Sequence, residues 1–232
     1  MFALTEKGGI SAVITAAGAS ERFGKDKTEQ LLGEFPCIVH TLRAFELSEQ
    51  TVQTVVVTRK EKIEYILELK EKYGLNKLSA VVEGGRCRQS SAAIGFKNTD
   101  PCVPFVAIHD GARPLITPKD IDSVAFAAYE HGAAIAAMPQ TNTVKLISED
   151  GFIRRTIDRK MLVAAATPQI FSREIYTKIV ESFSDRFSDF TDDSSMAEEL
   201  GIKVKTVICE PSNIKITTKE DLLLAKTILG KD

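Results

Sequence analysis

The 232-residue chain predicts an α/β fold, a mostly parallel twisted sheet with helices on both faces and one projecting β-hairpin arm. Three observations lead there. Short apolar runs alternate with amphipathic segments of helical period, as in a sheet covered on both faces. The first apolar run breaks into a glycine-led polar loop, Gly18 to Gly24, where open α/β sheets place their ligands. One segment, 143–157, departs from the alternation and reads as two strands around Asp150-Gly151.

In chain order, the candidate strands are Ala12–Ala17, Thr54–Thr58, Ser79–Glu83, Phe105–Ile108, Ala133–Met138 and Val204–Ile208. Between and after them, helical patterns cover Ile38–Glu46, Glu61–Tyr73, Gln89–Lys97, Pro118–Glu130, Arg173–Phe183, Ser194–Leu200 and Lys219–Leu229. The helix at Pro118 has a capping Thr117, proline at its first position and acids in its first turn. The last helix starts at Thr218-Lys-Glu-Asp221, close to a capping box. No internal repeat or low-complexity linker interrupts the chain, so it reads as one domain over 1–232 with the arm at about 139–160. The arm's apolar residues need a surface, which is either their own domain or a second copy of the chain.

Composition narrows the function. Hydrophobic residues make up 44% and charged residues 27%, as in ordinary soluble proteins. A formal net charge of −2 gives no general attraction to nucleic acid or anionic membrane. No apolar run approaches the roughly 20 residues of a bilayer span, and Met1 to Ser11 lacks an apolar signal core. Cys37, Cys87, Cys102 and Cys209 are widely spaced, and with three histidines they offer no metal cage. Mostly buried, reduced thiols in a cytoplasmic protein are the expectation.

Five constellations carry chemistry. In the first loop, Gly18 permits close backbone approach, free N–H groups form an anion nest, and Arg22 adds a planar donor fork. The spacing fits neither a Walker loop, since Lys25 is followed by Asp26, nor the three-glycine dinucleotide fingerprint. Ile108-His-Asp-Gly-Ala-Arg-Pro114 places Asp110 at a strand end, suited to Mg²⁺ or a substrate hydroxyl, with Arg113 as clamp or phosphate contact. His109 has no placed partner and reads as packing. Glu83-Gly-Gly-Arg-Cys-Arg-Gln-Ser-Ser91 is a second glycine turn whose N–H groups and Ser91 suit the edge of a base. Arg154, Arg155 and Arg159 follow the hairpin turn; alternation puts Arg155 and Arg159 on one face if the strand runs that far. They form a solvated face, or Arg159 joins Thr143 and Lys145 in an anion pocket. Late in the chain, Lys215 stands between isoleucines in Asn213-Ile-Lys-Ile-Thr217, a frame that directs it into a site.

Together these segments resemble the 2-C-methyl-D-erythritol 4-phosphate cytidylyltransferase family from about Ser11 to Leu229. The shared pattern is Ala16-Ala-Gly-x-x-x-Arg22, Gly84-Gly-x-x-Arg88-x-x-Ser91, His109-Asp-x-Ala-Arg-Pro114, Asp158-Arg159, Thr167-Pro-Gln169, Thr191-Asp192 and Asn213-Ile-Lys-x-Thr217, in that order. The resemblance implies a Rossmann-like nucleotidyltransferase domain and a homodimer exchanging arms. It implies CMP transfer from CTP to a polyol phosphate, with Mg²⁺ bound mainly through the CTP phosphates. It implies that Ala16, Ala17, Gly18, Gly84, Gly85, Ser91 and Asp110 hold CTP, and that Arg22, Lys27 and Lys215 are catalytic. Asp110, Arg113, Thr143, Arg159, Thr167 and Thr191 are implied for the acceptor. Related cytidylyltransferases use ribitol or ribulose 5-phosphate, and a silent CTP-binding homologue is a further reading. Its basis is a departure from the family pattern: where the family reads Pro-Lys-Gln, this chain reads Thr28-Glu29-Gln30, turning a negative charge toward the phosphates. Either Lys27 or Lys25 substitutes for the missing lysine, or activity is lost or changed.

Overall fold

The computed structural model describes residues 8–18 and 28–230. The main sheet takes β1 (Ile10–Thr15), β4 (Thr51–Thr58), β5 (Leu78–Glu83), β6 (Phe105–Asp110), β7 (Ala133–Pro139), β10 (Val163–Ser172) and β11 (Lys205–Ile208). The intervening short strands are β2 (Leu31–Leu32), β3 (Phe35–Pro36), β8 (Val144–Ile147) and β9 (Ile153–Ile157). The helices are α1 (Cys37–Leu47), α2 (Ile63–Tyr73), α3 (Arg88–Lys97), α4 (Pro118–His131), α5 (Arg173–Phe183), α6 (Asp193–Glu199) and α7 (Lys219–Ile228). Sheet order is β11-β7-β10-β6-β1-β4-β5, parallel except for β10, which runs antiparallel to both β6 and β7. The predicted α/β class and both-face cover hold.

The central strands are apolar throughout because both faces are buried. In β1, Ile10, Ala12 and Ile14 face the core shared with α1, α2 and α4, whereas Val13 faces the core under α3, α5 and α6. In β6, Ala107 faces the first core, and Val106 and Ile108 the second. A third, smaller core joins Leu32, Cys37, Leu115, Ile216 and Ala225, tying the last helix to the front of the sheet. Thr117 and Thr218 cap α4 and α7 as their sequences predict.

The sequence reading needs four corrections here. First, it gave no strand at Val163–Ser172, the strand that makes the sheet mixed. Pro168 argues against a central strand because it cannot donate to a ladder. The ladder between β10 and β7 breaks its register between Ala165 and Gln169, and the cis Thr167–Pro168 peptide lies in that break. Second, β1 ends at Thr15, which leaves Ala16 and Ala17 in the loop. Third, β9 stops at Ile157 and Arg159 begins a 3₁₀ turn, so alternation does not align Arg155 with Arg159. Fourth, only Cys37 and Cys209 are buried thiols; Cys102 is exposed.

Among the described residues, the hairpin β8–β9 pairs only with itself. Leu146, Ile147, Phe152 and Ile153 are 44–73% exposed, so the arm does not lie flat on its own domain.

Candidate active site

Parallel strands β1, β5 and β6 end on the same side, and the segments that follow them contribute most of the wall of a cavity of about 340 Å³, within the size range of small-ligand sites. Its wall includes Ala16, Ala17 and Gly18 from the first loop, Gly85 and Ser91 from the second glycine turn, and Asp110 and Lys215. A second cavity of about 260 Å³ adjoins it, lined by Arg113, Thr167, Gln169, Thr191 and Asp192. Arg88, Asp110 and Lys215 line both.

The second glycine turn is shaped by close approach. A Cβ on Gly84 would stand 2.4 Å from Ala17 Cβ and 3.0 Å from Ser91 Oγ, so only glycine lets the two loops meet. Gly84 thus supports the cavity from behind, with its N–H donated to Thr58 O at 2.8 Å. The Gly85 N–H donates to Ser91 Oγ at 3.0 Å. Cys87 caps α3 in a reciprocal box with Ser90, a role the sequence reading missed because cysteine is an unusual cap.

Asp110 is the electrostatic centre. Its Oδ1 accepts from Arg88 Nε at 2.8 Å; its Oδ2 is 2.9 Å from Lys215 Nζ and 3.5 Å from Arg113 Nε. Burial pushes the Asp110 carboxyl up, but Arg88, Lys215 and Arg113 outweigh burial and hold it well below the usual carboxylate range. Its backbone N–H donates to Thr167 Oγ1 at 3.0 Å. Arg113 is a clamp as well as a wall, since its Nη1 donates to Asn213 O at 2.8 Å. That bond ties the strand end to the segment carrying Lys215, whose neighbours Ile214 and Ile216 pack into the third core as their sequence frame predicts. Asn213, fully buried, donates in turn to Thr167 O.

Behind this centre lie groups that the sequence reading gave no role. Arg88 Nη1 donates to Asp193 Oδ2, and Tyr176 Oη donates to Asp193 Oδ1 at 2.8 Å. Gln169 donates to Asp192 Oδ2 at 2.7 Å and accepts from the Ser194 N–H at 2.9 Å. The signal for part of this was present: Asp192 followed three residues later by Ser195 forms the capping box of α6. His109 is packing, as read. It is fully buried and edge-on to Phe45, and burial pulls its imidazole down to about 3.

The remaining predicted residues divide. Thr167 and Thr191 line the second cavity. Thr143 and Arg159 line neither, and Arg159 Nη1 instead donates to Thr141 O at 2.7 Å. Lys145 turns to Thr156 Oγ1, so one chain holds no Thr143–Lys145–Arg159 pocket. Arg22, Lys25 and Lys27 lie outside the described residues. Glu29 does not turn its charge into the cavity: its carboxylate pairs with Lys62 Nζ, while Thr28 forms the wall.

Sheet order, strand-end loops and this cation-rich double cavity define an α/β nucleotidyltransferase. The fold is shared with the crystal structure of 4-diphosphocytidyl-2C-methyl-D-erythritol synthase from Anaerococcus prevotii, at TM-score 0.87 and 30% identity over 97% of each chain. It is also shared with the Thermus thermophilus 2-C-methyl-D-erythritol 4-phosphate cytidylyltransferase, at TM-score 0.75 and 26% identity over 95% of this chain and 98% of that one. The sequence profile of the 2-C-methyl-D-erythritol 4-phosphate cytidylyltransferases matches residues 10–231, and the chain belongs to that family. The enzyme of that name from Caldanaerobacter subterraneus is 40% identical over 96% of this chain and 99% of its own length. The one from Pelotomaculum thermopropionicum is 39% identical over 95% and 94%.

Proposed function

We propose that this chain transfers CMP from CTP to 2-C-methyl-D-erythritol 4-phosphate, giving the CDP-polyol and pyrophosphate. The observation that carries the reading is the meeting of two cavities at Arg88, Asp110 and Lys215 in a chain of this family. The first cavity takes CTP and the second takes the acceptor. An oxygen of the acceptor's phosphate attacks the α-phosphorus. One P–O bond forms, the bond to the bridging oxygen of the β-phosphate breaks, and pyrophosphate leaves with that electron pair. The nucleophile is already anionic, so positioning and charge neutralisation suffice and no general base is needed.

Ala16, Ala17, Gly18, Gly85 and Ser91 surround the nucleoside end, with Gly84 setting the spacing of that wall. Lys215 neutralises charge at the transferring phosphate, and Arg22 and Lys27 are assigned to the triphosphate. Asp110 orients Lys215 and Arg88, while Arg113, Thr167 and Thr191 shape the acceptor side. Among the described residues, Asp110 is the one carboxylate on the first cavity's wall, and both its oxygens are taken by cations, Oδ1 by Arg88 and Oδ2 by Lys215 and Arg113. The described residues therefore offer no free carboxylate for a divalent cation, which would be held by the triphosphate itself. Mg²⁺ so bound would offset phosphate charge and ease pyrophosphate departure.

The exposed apolar arm supports a homodimer in which each arm reaches the partner's acceptor cavity, bringing Thr143 and Arg159 to it. The four free cysteines support a cytoplasmic setting. The Glu29–Lys62 pair favours an active enzyme over a silent homologue, because it offsets the charge that set this chain apart.

The test is pyrophosphate release with CTP and Mg²⁺, comparing 2-C-methyl-D-erythritol 4-phosphate with ribitol 5-phosphate. Release with the first alone is expected. Release with ribitol 5-phosphate alone would overturn the acceptor, and release with neither, in a folded sample that binds CTP, would overturn the activity. Light scattering that found only monomer at micromolar concentration would overturn arm exchange.

A further inference from the structure

Arg88 has a donor left over. Its Nε serves Asp110 and its Nη1 serves Asp193, yet its Nη2 is buried without a partner among the described residues. A buried guanidinium nitrogen left unsatisfied costs about 1–3 kcal/mol, more when charged, so an orphan of this kind marks a place where a ligand completes the set. Its position says which ligand. Arg88 lines both cavities, and the other two residues shared by both are Asp110 and Lys215. The transferring phosphate must pass where the two cavities meet.

We propose that Arg88 is a catalytic residue whose free Nη2 donates to a non-bridging oxygen of the phosphate in transfer, and that Asp193 and Tyr176 are its positioning residues. The inference rests on the cytidylyl-transfer reading above. Arg88 is the first residue of α3, so its backbone is fixed by the Cys87–Ser90 capping box. Two carboxylates from different parts of the fold then grip its head from two sides. Asp193 is fully buried, and Tyr176, 1% exposed in the core beneath α5, locks Asp193 in turn. A planar fork held at two nitrogens aims the third without further loss of freedom, and a lysine cannot reproduce this. Burial favours loss of the Arg88 charge, but Asp193 and Asp110 more than restore it and hold its pKa above the ordinary guanidinium range. The group is therefore a permanent cation at the junction. No proton moves through it; it stabilises charge that builds on the phosphate oxygens as the bond to pyrophosphate breaks.

The experiment measures kcat and KM for CTP in Arg88→Lys, Asp193→Asn and Tyr176→Phe, with the wild type assayed in parallel. Wild-type turnover establishes the underlying reaction, so a variant result bears on Arg88 alone. Arg88→Lys is expected to lower kcat about 10²-fold or more, with KM for CTP changed less than fivefold. Tyr176→Phe, which deletes one hydroxyl, is expected to lower kcat about threefold to tenfold without moving KM. Asp193→Asn is expected to fall between them. Added methylguanidinium is expected to raise turnover of Arg88→Ala, a response that a fold-only role would not give. If Arg88→Lys fails to fold, the Tyr176 and Asp193 variants decide. Turnover within twofold of wild type in both, or in a folded Arg88→Lys, would overturn the proposal.

Discussion

Asp110→Asn removes the one carboxylate that three cations share, and its cost can be worked from their surroundings. Arg88 keeps Asp193 as a counter-charge. Lys215, with its side chain 37% exposed, can turn to water. Arg113 has neither escape: it is 8% exposed, and its remaining bond is to the neutral carbonyl of Asn213. Stripping one partner from a buried ion pair costs about 3–5 kcal/mol, and that cost falls mainly on Arg113. The loss is a large share of the roughly 5–15 kcal/mol that holds a domain folded. The variant also gains one positive charge in the cavity, so polyanions should bind it well. CTP at a hundred times its Kd adds about 2.7 kcal/mol to any folded state that binds it. Urea unfolding at pH 7.5, followed by circular dichroism with and without CTP, reads both effects. We expect a midpoint well below wild type without nucleotide and a large recovery with it. A variant within about 1 kcal/mol of wild type in the absence of nucleotide would refute the idea that this cluster is organised around Asp110.

Other expectations follow from the same geometry. Lys215→Ala should slow turnover about 10²–10³-fold in the pyrophosphate assay, with the fold intact by circular dichroism. Gly84→Ala forces its new methyl against Ala17 and Ser91, and should cost about 1–3 kcal/mol in urea unfolding and weaken CTP binding by calorimetry. His109 is buried neutral, with its pKa held down to about 3, so the unfolded chain takes up a proton below about pH 6.5 that the native chain refuses. Its contribution to stability is complete above pH 6.5 and lost as pH falls toward 3, at a slope approaching about 1.4 kcal/mol per pH unit. His109→Gln should flatten the stability profile between pH 6 and 4 relative to wild type.

Much of the architecture was legible because its signals are local. Val55, Val56 and Val57 in β4 and the Thr117–Pro118 start of α4 announce their elements within a few residues. Asp110 was readable as a cavity residue from its strand-end motif, Lys215 from its apolar frame, and Thr167 and Thr191 only through the family resemblance; all four line the two cavities. What stayed hidden is long-range. Arg88 meets Asp193 across 105 positions, and no periodicity links an arginine in a glycine turn to an aspartate that begins a distant helix. The strand β10 was missed because the proline that argues against it occupies the ladder's own break. Glu29 misled for a related reason: its charge was visible in the sequence, but the partner Lys62 that offsets it belongs to another segment.

The placement of Lys215 has a consequence for biosynthesis. Ala16 to Gly18 of the first loop and Lys215 line the same cavity, yet the lysine is made about 200 residues later. At about 5–20 residues per second, a ribosome needs roughly 10–40 s to cover that interval. Throughout it, the growing chain has no lysine to close the charge cluster and no α7 to hold the third core together. A nascent chain therefore gains its complete cavity only once Lys215 and α7 have been made, and nucleotide cannot stabilise it through these contacts any sooner.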